Sequence, residues 1–347
     1  MTRRLILHLG HPKTGSSAIQ SFLARNADQL RSIGIYYPQS RREREAGKGA
    51  ISSGNPRDVR QIGKIARSSI HHTVFSSENI FVANIPEIYN DTLAKQLIGT
   101  DIKPLFVIYT RNLFPFIFSG WGQYIKRHGG TLGLRDFIVS SQEEDDAYRV
   151  FGPGNFQRLA EWIVSIEYAG FDWAVYNYDK IDCGISTHFA RKALGIATDA
   201  PLDWTFDTRR VNRSLTMSEY EVQIQFNRIM GKSSSRIISD RLVNDLPDLN
   251  GHRPYISYDE YIIISEIFRS SVDSVNKLIR DDQRIHIEEY KNLKLSKEPC
   301  DITLTRDQLR VITESLCREI LILKNRSIWS AFNKYIYRII QKITKII

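Results

Sequence analysis

Leu5 to Leu23 reads LILHLGHPKTGSSAIQSFL, and this stretch decides the fold. Leu5–Leu9 is an apolar run of strand length. Gly10 to Gly15 forms a short turn that carries Pro12, Lys13 and Thr14. From Ser16 onward apolar residues recur at helical spacing, through Ile19, Phe22, Leu23, Ala27 and Leu30, with Gly34 placed to end the run. A strand that turns tightly into a helix builds an anion site. The N–H groups of the first helical turn point at the ligand, and the helix dipole favours negative charge. Lys13 adds a point charge, Thr14, Ser16 and Ser17 add hydroxyl donors, and Gly15 lets the backbone approach without a Cβ. The nucleoside-triphosphatase loop places its lysine after the second glycine, as G-x-x-x-x-G-K-[ST]. Here Lys13 precedes Gly15, so that motif is absent. An ordinary strand–turn–helix with an incidental lysine is the alternative at this point.

Pro104 to Lys126 reads PLFVIYTRNLFPFIFSGWGQYIK. Leu105–Tyr109 is a continuous apolar run with β-branched residues, the mark of a buried parallel strand. It ends in Thr110-Arg111-Asn112, which puts Arg111 at a strand's carboxyl end, where ligands bind in open α/β sheets. Ser119 follows eight residues later, with Gln123 and Lys126 on the same helical side. Between the two segments, Thr73–Ser77 reads as a short strand and Ser77-Glu78-Asn79 as its turn.

The loop Pro12-Lys13-Thr14-Gly15-Ser16-Ser17 resembles the 5′-phosphosulfate loop of the sulfotransferases, which take a sulfuryl group from 3′-phosphoadenosine 5′-phosphosulfate (PAPS). Arg111 and Ser119 resemble the same family's pair for the donor's 3′-phosphate. The resemblance extends, more weakly, over about the first 220 residues. It departs at Leu113, where many members carry proline. It implies that Lys13, Thr14, Gly15, Ser16, Ser17 and Ala18 hold the 5′-phosphate, that PAPS is released as 3′,5′-ADP, and that no metal is needed. It also implies that the Ser77–Asn79 turn borders the acceptor. Glu78 is then the carboxylate candidate for general base, with a helix-start carboxylate or a structural ion pair as the alternatives. His11 beside the loop is a rival catalytic group, as are His71, His72 and His128. The run Gly15–Gln20 is similar to that of bacterial members acting on carbohydrates, so a glycan or glycolipid hydroxyl, or an amine, is the expected acceptor.

Composition bounds the rest. The chain has 347 residues, 42% of them hydrophobic, which is enough for a large core. Cys183, Cys300 and Cys317 show neither disulfide nor zinc spacing. The first strand starts within a few residues, and no run of about 18 apolar residues is present, so a cytoplasmic protein, soluble or peripheral to the inner membrane, is expected. The net charge is +9, and Lys324, Arg326, Lys334, Arg338, Lys342 and Lys345 supply six positive charges after the last acidic residue, Glu319. That tail alternates an apolar stripe (Trp329, Phe332, Ile336, Ile339, Ile343, Ile346) with basic residues. It suits packing on the protein or on a partner subunit, and it equally suits an anionic lipid surface.

Strand and helix patterns alternate through Phe156–Tyr168 (helix), Phe171–Tyr178 (strand) and Thr187–Leu194 (helix). The expected architecture is α/β: a P-loop NTPase-like three-layer fold around a mainly parallel sheet, with a helical C-terminal extension. The expected parts are a core over 1–230, a loop and helical extension over 231–304, and a basic tail over 305–347. Ile35–Pro38 reads as a short edge strand, and Ser40–Arg60 and Gly231–Pro254 as loops. Met217–Met230 and Ser257–Leu278 read as helices, and Thr305–Gln308 as a capping box opening the last one. Arg209, Arg210, Asn212 and Arg213 form a basic cluster that reads either as a ligand contact or as a solvated turn. Two other function classes carry less support. A nucleotide kinase or NTPase lacks its lysine spacing, and a nucleic-acid-binding protein lacks any aromatic–basic motif or zinc finger.

Overall fold

A computed structural model describes residues 2–39, 58–140, 151–197, 204–205, 213–295, 303–325 and 339. Within them five strands form one parallel sheet: β1 (Arg3–Leu9), β2 (Ile35–Tyr36), β3 (His72–Ser77), β4 (Ile102–Thr110) and β5 (Asp172–Asn177), in the order β2-β3-β1-β4-β5. The fold is therefore α/β and P-loop-like, with the first strand at the centre. The reason is visible in the sequence. β1 and β4 are apolar on both sides, which suits strands covered by helices on both faces, and Leu5, Leu7, Leu9, Phe106 and Ile108 are all fully buried. β2 is a two-residue edge strand.

The chain divides into two compact units. The first comprises 1–117, 138–209 and 258–293. It holds the sheet and the helix α1 (Ser16–Arg25), whose Ile19, Phe22 and Leu23 pack with Ile6, Val74 and Val107. The apolar run expected to be one helix as far as Gly34 is broken at Asn26. The buried Asn26 amide donates to the Phe22 carbonyl at 2.8 Å and to that of Thr205 at 3.1 Å, competing with the helical ladder. A second helix, Ala27–Ser32, then finishes the segment. The helices Gly154–Tyr168 and Tyr258–Asn276 belong to the same unit, with Phe156 set edge-on to Phe268.

The second unit comprises 118–137, 210–257 and 294–347. Its polar heart is the Arg213–Glu219 pair, whose side chains are 1% and 0% exposed. Arg213 donates to the two Glu219 oxygens at 2.7 and 2.8 Å and to the carbonyls of Leu242 and Leu246. Thr216 and Glu219 form a capping box that opens the helix Met217–Met230. The expected box at Thr305–Gln308 is present too, and the Gln308 amide donates to Glu219 at 2.9 Å, so the two boxes interlock. Arg213 is thus neither a ligand contact nor a residue of a solvated turn; Arg209, Arg210 and Asn212 lie outside the described residues, as does the tail from Arg326 apart from Ile339. Gly231–Pro254 is not one loop. It contains the short helices Ser234–Ile237, which buries Ile237, and Ser239–Asp245, which buries Leu242 and Val243. Among the described residues no helix is long and apolar enough to cross a membrane.

Candidate active site

Parallel register brings the carboxyl ends of four strands to one edge of the sheet: Leu9 lies beside Ser77 and Ile108, and Thr110 beside Asn177. The segments that follow are Gly10–Gly15, Ser77–Asn79, Arg111–Asn112 and Tyr178–Lys180.

The first of these is a tight loop. Lys13 has φ 65°, the one positive value at a non-glycine residue among those described, and Gly15 has φ 84°. Left-handed backbone at lysine costs about 1 kcal/mol or more and persists where the surroundings enforce it. Two bonds do so here. Thr14 Oγ1 donates to the His11 carbonyl at 2.7 Å, and Arg111 Nη1 donates to the Lys13 carbonyl at 3.1 Å. Gly15 is the N-cap of α1 and offers no side chain to its first N–H groups. The Ala18 N–H bonds to the Gly15 carbonyl at 2.9 Å, so the expected cradle from Thr14 to Ala18 ends before its last member. The Thr14 hydroxyl is likewise used inside the loop.

Gly10 is fixed by crowding. A Cβ there would stand 2.6 Å from Glu78 Cγ, 2.8 Å from Ser16 Oγ and 3.0 Å from Glu78 Cα. Glu78 opens the helix Glu78–Ala83 at the end of β3. It is brought against the loop so closely that only glycine fits. Burial pushes its carboxyl pKa up, while the Lys13 charge and the Ser16 hydroxyl pull it back. Gly10→Ala is expected to push the Glu78 backbone off the loop and weaken anion binding by about tenfold, read by calorimetry with pyrophosphate.

His11 points elsewhere. Its ring is fully buried, with Phe81, Phe116 and Phe156 at 5.2–5.7 Å between ring centroids. Burial drives its pKa down to about 3, against a smaller opposite pull from Asn155, so the ring is neutral at ordinary pH. His71 and His72 stand at the start of β3, the opposite end of the sheet, where His72 Nδ1 accepts from the Arg4 N–H. His128 and Ser119 belong to the second unit, Ser119 on the helix Leu113–His128 that begins after Arg111.

Arg111 lies where β4 ends and is fully engaged. Besides the Lys13 carbonyl it donates through Nε and Nη2 to the Asp179 carboxylate at 3.5 and 3.0 Å. Its guanidinium carbon sits 5.0 Å from the centre of the Tyr178 ring, a cation–π distance. Tyr178 also borders Gly15, since a Cβ there would meet its ring at 3.1 Å. Tyr178 and Asp179 escaped sequence reasoning. The signal was a polar Asn-Tyr-Asp run at the carboxyl end of the strand Phe171–Tyr178, the place where α/β sheets put ligands.

A crystal structure of a sulfotransferase from Alicyclobacillus acidocaldarius aligns with 80% of this chain and 96% of its own, at 13% identity and a TM-score of 0.38. No family model matches the chain, and no curated protein does.

Proposed function

We propose that this chain is a sulfotransferase that moves a sulfuryl group from PAPS to the hydroxyl, or the amine, of an acceptor, with a carbohydrate as the acceptor class. The observation that carries the reading is one juxtaposition: a lysine in a left-handed turn at a helix N-terminus, with an arginine and a raised-pKa carboxylate against the same loop.

The acceptor oxygen attacks the sulfur in line. Its bond to sulfur forms as the bond from sulfur to the bridging phosphate oxygen breaks, and 3′,5′-ADP leaves. The acceptor proton passes to the Glu78 carboxylate. Alignment and charge stabilisation dominate the barrier to such transfers, as in phosphoryl transfer. Lys13 neutralises charge developing on the bridging and sulfuryl oxygens. The N–H groups of Thr14, Gly15, Ser16 and Ser17 face the 5′-phosphate. Arg111 serves the donor's 3′-phosphate, which distinguishes this donor from ATP. His11 stays out of the proton path and packs the underside of the loop.

Thermal unfolding tests the donor. A ligand bound only to the folded state raises the midpoint by mass action. We expect 3′,5′-ADP to raise it more than 5′-ADP or magnesium-ATP, and the gain to vanish in Arg111→Ala. Equal or better stabilisation by magnesium-ATP would overturn the donor assignment in favour of a nucleotide kinase.

A further inference from the structure

We propose that Asp179 is a built-in competitor for the donor's anion, and that Arg111 exchanges between this carboxylate and an incoming phosphate. The proposal rests on the donor site described above and concerns how tightly that site holds and releases its ligand.

The Nε–Nη2 edge of Arg111 is the fork that recognises a planar or tetrahedral oxyanion in bidentate fashion. Asp179 occupies that edge. The pair is shielded, at 18% and 19% side-chain exposure, so its attraction is less screened than that of a surface ion pair.

Asp179 does not depend on Arg111 for its place. Its Oδ2 accepts from the Asn112 N–H at 2.8 Å, and its own N–H donates to Asn177 Oδ1 at 3.0 Å. Asn177 is tied in turn to Asn112 Oδ1 and to the Arg284 carbonyl, both at 2.9 Å. When the guanidinium turns to another anion, the carboxylate keeps a hydrogen bond and a fixed position. The cation is also supported on both sides of the exchange, because the Tyr178 ring holds it by its face. A fixed carboxylate next to an anion site has one sign of effect. It takes away the guanidinium fork in the empty state and repels the ligand in the filled state. Asp179 therefore lowers affinity and speeds release of the anionic product.

The experiment is calorimetry and stopped-flow release on the full chain, with inorganic pyrophosphate and 3′,5′-ADP as probes. Asp179→Asn keeps an acceptor oxygen and removes the charge. We expect both probes to bind about tenfold tighter and leave more slowly, the size of one added charge-assisted bond. Asp179→Glu, which restores the charge, is expected to return affinity toward the parent, a rescue that a purely structural role would not give. Weaker or unchanged binding in a folded Asp179→Asn protein overturns the proposal. Independently of folding, the Arg111 Nε–H resonance of the unmutated protein, assigned by its loss in Arg111→Lys, should shift when pyrophosphate is added; a stationary resonance also overturns it. Tighter pyrophosphate binding without any 3′,5′-ADP binding would leave Asp179 as competitor and remove the PAPS assignment. Tight 3′,5′-ADP binding indifferent to Asp179→Asn would do the reverse.

Discussion

Glu78→Gln should lower turnover by about 10²–10⁴, the range for losing a positioned general base, while 3′,5′-ADP binding stays intact. The two readings together separate a missing proton acceptor from a damaged loop. The pH dependence has a definite sign. Only the ionised carboxylate accepts the proton, and burial raises the Glu78 pKa. Turnover should therefore fall on the acid side at a pH above the ordinary glutamate value of about 4.3, and the glutamine variant should lose that limb. Lys13 holds the value partly down, so Lys13→Met should move the limb further up in whatever activity survives. A Glu78→Gln enzyme with unchanged turnover and an unchanged acid limb would exclude Glu78 as the base.

The largest effect on stability is expected at Glu219→Ala. Removing this carboxylate leaves the Arg213 guanidinium buried without its counter-charge, which typically costs about 3–5 kcal/mol. It also strips the acceptor from the Thr216 N–H and the Gln308 amide. Chemical denaturation followed by circular dichroism, with the loss read as a lower midpoint, checks it. Acid should act on the same point. Burial alone would raise the Glu219 pKa, but Arg213, the Thr216 N–H and the Gln308 amide outweigh it and hold it below the usual range. A depressed native pKa contributes stability that is present above the unfolded value, about 4.3, and is lost as pH falls through the folded one. The parent should therefore lose stability relative to Glu219→Ala on acidification below that value, and the gap between the two should narrow.

Parts of this molecule that local pattern controls were legible in the sequence. The apolar runs of β1 and β4 announce a doubly covered parallel sheet. Thr305 and Gln308 announce a capping box because its bonds are local. The strand–loop–helix at Lys13 is equally local, and Arg111 follows from its place after an apolar strand. What pairing across the fold controls was not legible. Asp179 lies 68 residues from Arg111 and meets it only because β4 and β5 are neighbours. Arg213 sits in a basic run that looks solvent-facing, and only the burial of Glu219 beside it reveals a core ion pair. His11 looked like a group for chemistry because of its position by the loop; three phenylalanines from distant segments make it part of the packing. The serine-rich stretch after Gly231 hides short helices because each turn buries only a residue or two.

The central place of β1 has a further consequence, for synthesis rather than for chemistry. The strand is made first, yet both its partners, β3 and β4, come later, and the second is not complete until Thr110. At about 5–20 residues per second the ribosome needs roughly 5–20 s to reach that point. Leu5–Leu9 has neither neighbour until β3 ends at Ser77, and the edge that β4 takes stays open to other chains until Thr110. The strand that carries the anion loop therefore keeps an unpaired edge through a long part of synthesis, and a chaperone that captures short apolar segments would find it there.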